Sequence, residues 1–292
     1  MKITGVTIIK NAILNDYPIK ESILSILPVV DEMIVSVGDS DDETEALIRS
    51  IQSEKIRIVH SVWDKSIRKG GSVLAIETNK VLKHVGSDTD WIFYIQADEI
   101  IHEKYHSHIR SSAEKYLNNK NVDGLLFHYL HFYGSYDYVG DSRKWYAYET
   151  RIIRNNRGIT SYRDAQGFRK ENRKIKVALI DAFVYHYGWV KHPKDMKSKQ
   201  KNVAEFWVED DASLEKIRQS EDEFDYSQVD AVRKFDDTHP DVMMERIKNK
   251  NWHIQLDTTR KNMKTKYRML HWLEKITGRR FFTFTNHRIV YR

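Results

Sequence analysis

Trp91, Ile92, Phe93, Tyr94 and Ile95 follow one another without a polar interruption, and the run then stops on Gln96, Ala97, Asp98 and Glu99. A short, unbroken apolar run of aromatic and β-branched residues without alternation reads as a strand buried on both faces. Such a strand belongs in an open α/β sheet, whose ligands sit in the crevice beyond the carboxyl ends of its parallel strands. Asp98 and Glu99 therefore stand where chemistry is usually placed, although strand-end carboxylates also cap helices.

The preceding segments fit this architecture. Residues 3 to 9 are β-branched and loosely alternating, which predicts a first strand ending at Lys10 and Asn11. Ile19, Ile23, Ile26 and Leu27, set between Pro18 and Pro28, predict an amphipathic helix. Residues 33 to 37 read as a second strand. The turn GDSDDET follows, in which Ser40 and Glu43 have capping-box spacing for a helix carrying Leu47, Ile48 and Ile51. A third strand is expected at residues 56 to 59, then a helix through Val73, Ile76 and Val81 after Gly70 and Gly71. Strands alternating with helices predict a Rossmann-like α/β fold, with a mostly parallel central sheet and helices on both faces. No GxGxxG follows the first strand and no GxxxxGK[ST] occurs, which argues against a dinucleotide oxidoreductase and a P-loop enzyme.

From about Asp123 the chain turns aromatic, with strands predicted at residues 124 to 129, 150 to 154 and 176 to 187. The loops FYGSYDYVG and SYRDAQGFRK between them carry Tyr, Arg and Asp. Such loops offer apolar faces for ring C–H groups and donors for hydroxyls, as a polyhydroxylated ligand requires. Beyond Pro193 the chain reads as helical and highly charged.

The 292 residues allow a large domain with an appendage. The absence of cysteine excludes a disulfide framework, a thiolate zinc site and a cysteine nucleophile. Lys and Arg number 48 against 42 Asp and Glu, a net charge of +6 that suits anionic ligands. The excess is concentrated late, at Arg260, Lys261, Lys264, Lys266, Arg268, Lys275, Arg279, Arg280, Arg288 and Arg292, against Asp257 and Glu274. In that stretch Met263, Tyr267, Leu270, Leu273 and Ile276 fall near one helical face. The stripe marks a helix docked on the main domain or peripheral attachment to an anionic membrane. No stretch reaches the roughly 18 apolar residues of a membrane span, and the N-terminus lacks a cleavage-site pattern, so a cytoplasmic protein is expected. Acidic turns interrupt the basic stretches and no recognised nucleic-acid module is present, so no nucleic-acid partner is expected.

A first strand ending in a polar pair, a Pro-opened helix, VDEMIVSVGDSDDET and a buried strand running into QADE together resemble the family 2 nucleotide-diphospho-sugar glycosyltransferases, which have the GT-A fold. ETRIIR, YRDAQGFRK and HYGWVKHP are similar to a bacterial branch of that family that makes surface polysaccharides, lipopolysaccharide among them. The resemblance implies a GT-A catalytic domain over residues 1–192, with a nucleotide-binding half at 1–122 and an acceptor half at 123–192. Residues 193–292 would form a helical, basic C-terminal extension. The implied reaction moves a sugar from a UDP- or GDP-type donor to a hydroxyl of a glycan or lipid-linked acceptor, with inversion, in the cytoplasm or at the inner face of the membrane. Breaking the anomeric C–O bond passes through an oxocarbenium-like state and loads charge onto the departing diphosphate. A cation for the phosphates, a base for the acceptor hydroxyl and groups that seat the nucleotide are then needed.

By the same resemblance, Asp98 falls on the last carboxylate of the DxD motif, which ligates Mg²⁺ or Mn²⁺ bridging the diphosphate. Gln96 stands at the motif's first position, where an amide adds no charge and serves the nucleotide instead; Glu99 is a second ligand or points away. Lys10 and Asn11 lie on the nucleotide side. Asp39 reads the base or, with Ser40 and Asp41, caps the next helix. Asp164 matches the region of the catalytic base, or is an ion pair with Arg163 and Arg169; Glu149 is the reserve base. His186 meets the metal or the diphosphate, or is a packing residue. Arg68 and Lys191 neutralise phosphate or lie on the surface. A different class of reading is a GT-A-like domain without turnover, with Gln96 as its symptom, that holds a saccharide or acidic polymer.

Overall fold

A computed structural model describes residues 1–155 and 158–292 of the chain. Among the described residues thirteen strands join one sheet: β1 Ile3–Ile9, β2 Glu32–Val37, β3 Ile56–His60, β4 Trp91–Tyr94, β5 Glu99–Ile101, β6 Gly124–Tyr133, β7 Ser135–Gly140, β8 Tyr148–Arg154, β9 Ile159–Tyr162, β10 Gly167–Lys170, β11 Arg173–Trp189, β12 Val232–Lys234 and β13 His287–Tyr291. Its main path runs β3-β2-β1-β4-β8-β6-β11-β10-β9. Strands β3, β2, β1 and β4 are mutually parallel. The expectation of a mostly parallel sheet holds for these four. Beyond β4 the sheet is mixed, because β8 runs antiparallel to both β4 and β6, while β6 and β11 are parallel.

All four residues of β4 are buried. Trp91, Phe93 and Ile95 enter one apolar cluster, and Ile92 and Tyr94 enter the cluster on the opposite face. Helices α1 (Ile19–Ile26), α2 (Thr44–Arg49) and, after α3, α4 (His106–Lys115) contribute Ile19, Ile23, Ile48 and Ile109 to the first. Helix α3 (Ser72–Leu82) contributes Val73 and Val81 to the second. Both faces of the sheet are thus covered, the arrangement a continuous apolar strand requires.

Two local expectations are corrected. Ser40 does not cap α2: its Oγ accepts a hydrogen bond from the Asn11 backbone N–H at 3.0 Å, and Asp42 Oδ1 takes the Thr44 N–H at 3.0 Å. Ser40, with Asp41 and Asp42, fastens the turn to the segment that follows β1. Residues 193–292 are also not simply a helical extension. They form α5 (Pro193–Val203), α6 (Asp211–Arg218), α7 (Met244–Lys248) and α8 (Thr265–Thr277), but β12 pairs with β7, and β13 runs parallel to β11. The HRIVY run of β13, apolar and β-branched at its centre, returns the basic tail to the sheet.

Candidate active site

The strand order reverses between β1, whose chain leads outward to β2 and β3, and β4 on its other side. That is a topological switch point, where a crevice opens at the carboxyl ends of the strands. A cleft of ≈ 980 Å³ lies there, lined by Lys10 and Asn11 after β1 and by Gln96 and Asp98 after β4. Glu149, Asp164 and His186 line the same cleft from the second half of the sheet.

Sheet register brings Asp98 and His186 together. Strand β5 pairs antiparallel with β11, setting Glu99 opposite His186, and the Tyr187 N–H donates to the Asp98 carbonyl at 2.8 Å. His186 Nε2 then lies 3.7 Å from Asp98 Oδ1, and Lys199 Nζ of α5 lies 3.3 Å from Oδ2. Gly188 permits this approach: a Cβ there would stand 2.5 Å from Asp98 Oδ2 and 2.7 Å from His186 Nε2. Burial pushes the Asp98 carboxyl up, but His186, Lys199 and Lys191 outweigh it and hold it below its ordinary value. Burial lowers His186, and it lowers His131 well below the ordinary imidazole range with His186 adding to the effect. Their Nδ1 atoms face each other at 3.2 Å.

The adjacent carboxylate has the opposite environment. Glu99 is fully buried and points away from the cleft, engaged by Arg151 Nε at 2.7 Å and by Arg151 Nη2, the Tyr129 hydroxyl and the Gln96 N–H. It is a structural ion pair and not a cleft ligand.

Asp164 sits in the β9–β10 turn between Arg163 and Ala165, both in the left-handed region at φ 57° and 60°. Such backbone costs free energy in non-glycine residues and is found where function demands a set geometry. The ion pair anticipated with Arg163 and Arg169 does not form: Arg163 lies over the rings of Tyr162 and Phe284, and Arg169 donates to Asn286. Asp164 Oδ1 is buried without a hydrogen-bond partner among the described residues, and burial raises its carboxyl above the ordinary value. Glu149 is pushed further, to about 8 by burial, against the pull of Arg151 at 3.7 Å and with Glu99 and Asp164 adding to the rise.

Three anticipated nucleotide residues lie off the cleft. Asp39 takes the Trp63 N–H at 3.0 Å and faces Lys10 Nζ at 2.8 Å, so it positions two cleft residues without lining the cleft itself. Arg68 pairs with Asp211 at 2.7 Å and donates to the Val208 carbonyl at 3.2 Å, which fastens the segment around α6. Lys191 is buried and donates to the Asp16 carbonyl; burial, with Lys199 nearby, brings its ammonium down to about 7.

Several cleft groups carry no signal in the sequence pattern. Trp63, Trp145 and His131 line the cleft, and Trp63 Nε1, Trp145 Nε1 and His131 Nε2, like Asp164 Oδ1, are buried without partners among the described residues. The two indole nitrogens lie against Gly38 and Gly140, which do not line the cleft, so what Trp63 and Trp145 offer a ligand there is aromatic surface, while Asp164 Oδ1 is a buried acceptor without a partner. Lys199 had one available signal: Met196, Lys199 and Val203 recur at i, i+3 and i+7, putting a lysine on the inward face of a helix.

The donor set around Asp98 does not fit a divalent ion. No group of three or more His, Asp or Glu able to hold a metal by themselves occurs among the described residues, and beside Asp98 the one further nitrogen donor is His186 Nε2, 3.7 Å away. Gln96 brings no charge, Glu99 is engaged by Arg151, and Lys199 already faces Asp98. A doubly charged ion about 4 Å from an ammonium is opposed by roughly 8 kcal/mol at an effective dielectric constant of about 20.

No family model matches the chain, and no curated protein matches it in sequence. Among solved structures, S. aureus TarS is 16% identical at a TM-score of 0.42, the alignment covering 75% of this chain and 42% of TarS. TarS 1-349 in complex with UDP-GlcNAc is 15% identical at a TM-score of 0.41, covering 74% of this chain and 70% of that one. Glucosyl-3-phosphoglycerate synthase from Mycobacterium tuberculosis, in complex with Mn²⁺, UDP-glucose and glycerol 3-phosphate, is 20% identical at a TM-score of 0.31, covering 44% of each chain. The chain thus spans less than half the length of TarS.

Proposed function

We propose that the chain is a glycosyltransferase that moves a sugar from a UDP- or GDP-type nucleoside-diphosphate sugar to an acceptor hydroxyl. The observation that supports this reading best is one cleft, at the switch point of the sheet, holding an ionised carboxylate beside an ammonium, a second carboxylate with a free oxygen, and the aromatic rings of Trp63, Trp145 and His131. Lys10, Asn11, Gln96 and Trp63 seat the nucleotide, with Asp39 acting through Lys10 and Trp63. The acceptor oxygen attacks the anomeric carbon as the bond to the diphosphate oxygen breaks. The bonding pair leaves with the diphosphate, and the hydroxyl proton passes to Asp164. Glu149, protonated at neutral pH because burial raises it to about 8, offers a hydrogen bond and leaves the base role to Asp164. Displacement from the opposite face gives inversion.

A fluorescent or radiolabelled panel of UDP- and GDP-sugars, scored for nucleoside diphosphate release, tests the reading. Release is expected from at least one donor, falling about 10²–10⁴-fold in Asp164→Asn while donor affinity holds. Donor binding without release in the wild type favours instead a saccharide-binding domain without turnover, which the amide of Gln96 would suit. No binding at all sinks both readings.

The acceptor is read from the opposite end of the chain. Met269, Trp272 and Ile276 form an exposed stripe on α8, and Phe282 beyond it is 91% exposed. Lys266, Arg268, Lys275 and Arg279 surround them, while Leu270 turns inward. No helix among the described residues is long and apolar enough to cross a membrane. An apolar stripe edged with cations suits the interface of an anionic bilayer, where a lipid-linked acceptor is presented. Co-sedimentation with phosphatidylglycerol vesicles is expected, lost on neutral vesicles and reduced in the double variant Trp272→Ala, Phe282→Ala; equal binding by that variant rules the surface out.

A further inference from the structure

The metal position of the resemblance is already filled by a side chain, and that disagreement has a chemical consequence. We propose that the ammonium of Lys199, in place of a divalent ion, is the cation that faces the donor diphosphate, so that this enzyme binds its donor and transfers sugar without metal. The inference rests on the nucleotide-sugar reading above and specifies how its leaving group is stabilised.

Three contacts hold the ammonium at the strand end. Lys199 Nζ lies 3.3 Å from Asp98 Oδ2, donates to the Gly188 carbonyl at 3.2 Å and stands 4.4 Å from the centre of the Tyr17 ring. An ammonium has three N–H donors. Asp98 and Gly188 take two, which leaves one for a phosphate oxygen. The geometry also works against an ion. Mg²⁺ keeps several waters and depends on carboxylates and phosphate oxygens for its remaining ligands. Here Asp98 is engaged by Lys199 and faced by His186, and the Gly188 backbone crosses so closely that a methyl group would strike the carboxylate.

Lysine is a fitting replacement because it acts as a compact point charge on phosphate. The Asp98 carboxylate 3.3 Å away favours the charged form of Lys199, and the face of the Tyr17 ring adds a cation–π contact. Lys191, its buried neighbour, is the weaker candidate, since its ammonium is directed to the Asp16 carbonyl. Asp98 keeps its place in the site but acts differently there, orienting a cation carried by α5 instead of collecting one from solution.

Isothermal titration of UDP and GDP, each in excess EDTA and again in MnCl₂, decides the matter. For whichever nucleotide binds, wild-type affinity is expected to agree within about twofold between the two conditions. Lys199→Ala is expected to weaken diphosphate binding by at least about tenfold while leaving the matching nucleoside, uridine or guanosine, unaffected. Lys199→Arg is expected to retain most of the affinity, which separates loss of charge from loss of fold. Binding that disappears in EDTA and returns with Mn²⁺ overturns the assignment while leaving the nucleotide site standing. Equal losses of nucleoside and diphosphate in Lys199→Ala also overturn it. Failure of both nucleotides to bind under either condition removes the nucleotide-sugar reading, and this inference with it.

Discussion

The floor of the cleft is held by strand register, whereas its cover is held by a few separate hydrogen bonds and ion pairs outside any strand ladder. On the floor, β1 and β4 pair from Ile3↔Trp91 to Val6↔Tyr94, and the buried Glu99–Arg151 pair anchors the residues beside Asp98. The cover, residues 193 to 220, depends on the Gly71 N–H to the Phe206 carbonyl at 2.8 Å, Asn202 to Asn15 at 3.0 Å, and Arg68 to an Asp211 side chain that is 90% exposed. Ordering a ligand between two such walls requires one to be exact and allows the other to adjust. Asp98 belongs to the first wall and Lys199 to the second.

The comparison is broken most severely by attacking the floor. Arg151→Met leaves Glu99 buried and uncompensated, and should cost roughly 3–5 kcal/mol in urea unfolding. A loss below about 1 kcal/mol shows that the pair does not anchor the floor. Glu149 sharpens the same contrast through pH. Its folded value of about 8 lies above the ordinary 4.5, so the folded state holds a proton that the unfolded state releases between those limits. Stability from this group is complete below about 4.5 and is lost as pH rises through about 8. Glu149→Gln, which cannot ionise, should match the wild type near pH 4.5 and exceed it by on the order of 5 kcal/mol at pH 9; parallel stability curves contradict the assignment. The smallest effect is expected on the cover. Arg68→Ala removes a partly exposed tether and should change stability by less than about 1 kcal/mol. It should nonetheless raise the donor KM severalfold and speed amide exchange across residues 193 to 220. Unchanged exchange there means that Arg68 does not hold the cover.

The floor was also the legible part of the molecule. The unbroken run from Trp91 to Ile95 announces a strand buried on both faces, and polar residues at its end announce a crevice, because both signals are local. Lys10, Asn11, Gln96, Asp98, Asp164 and His186 all reach the one cleft. The errors came where a side chain's role is set by something distant in sequence. For Glu99 the sequence leaves open whether it is a second ligand or points away, and it is Arg151, which ETRIIR presents as one more arginine on a strand, that draws its carboxylate from the cleft. Lys191 resembles an ordinary surface cation, yet it is buried against Asp16. Lys199 hides among the lysines of PKDMKSKQKN, where its i, i+3, i+7 spacing with Met196 and Val203 is the one local signal and the packing of α5 across the cleft gives it meaning. The return of β13 to the sheet was obscured by the basic stretch around it.

A crystal structure of the protein grown in EDTA with the nucleoside diphosphate that binds most tightly tests the central claim most directly. Expected is a diphosphate between the ends of β1 and β4 and the inward face of α5, with a phosphate oxygen in hydrogen-bond reach of Lys199 Nζ. A nucleotide bound elsewhere on the molecule, with the cleft closed to it, contradicts the assignment of this site.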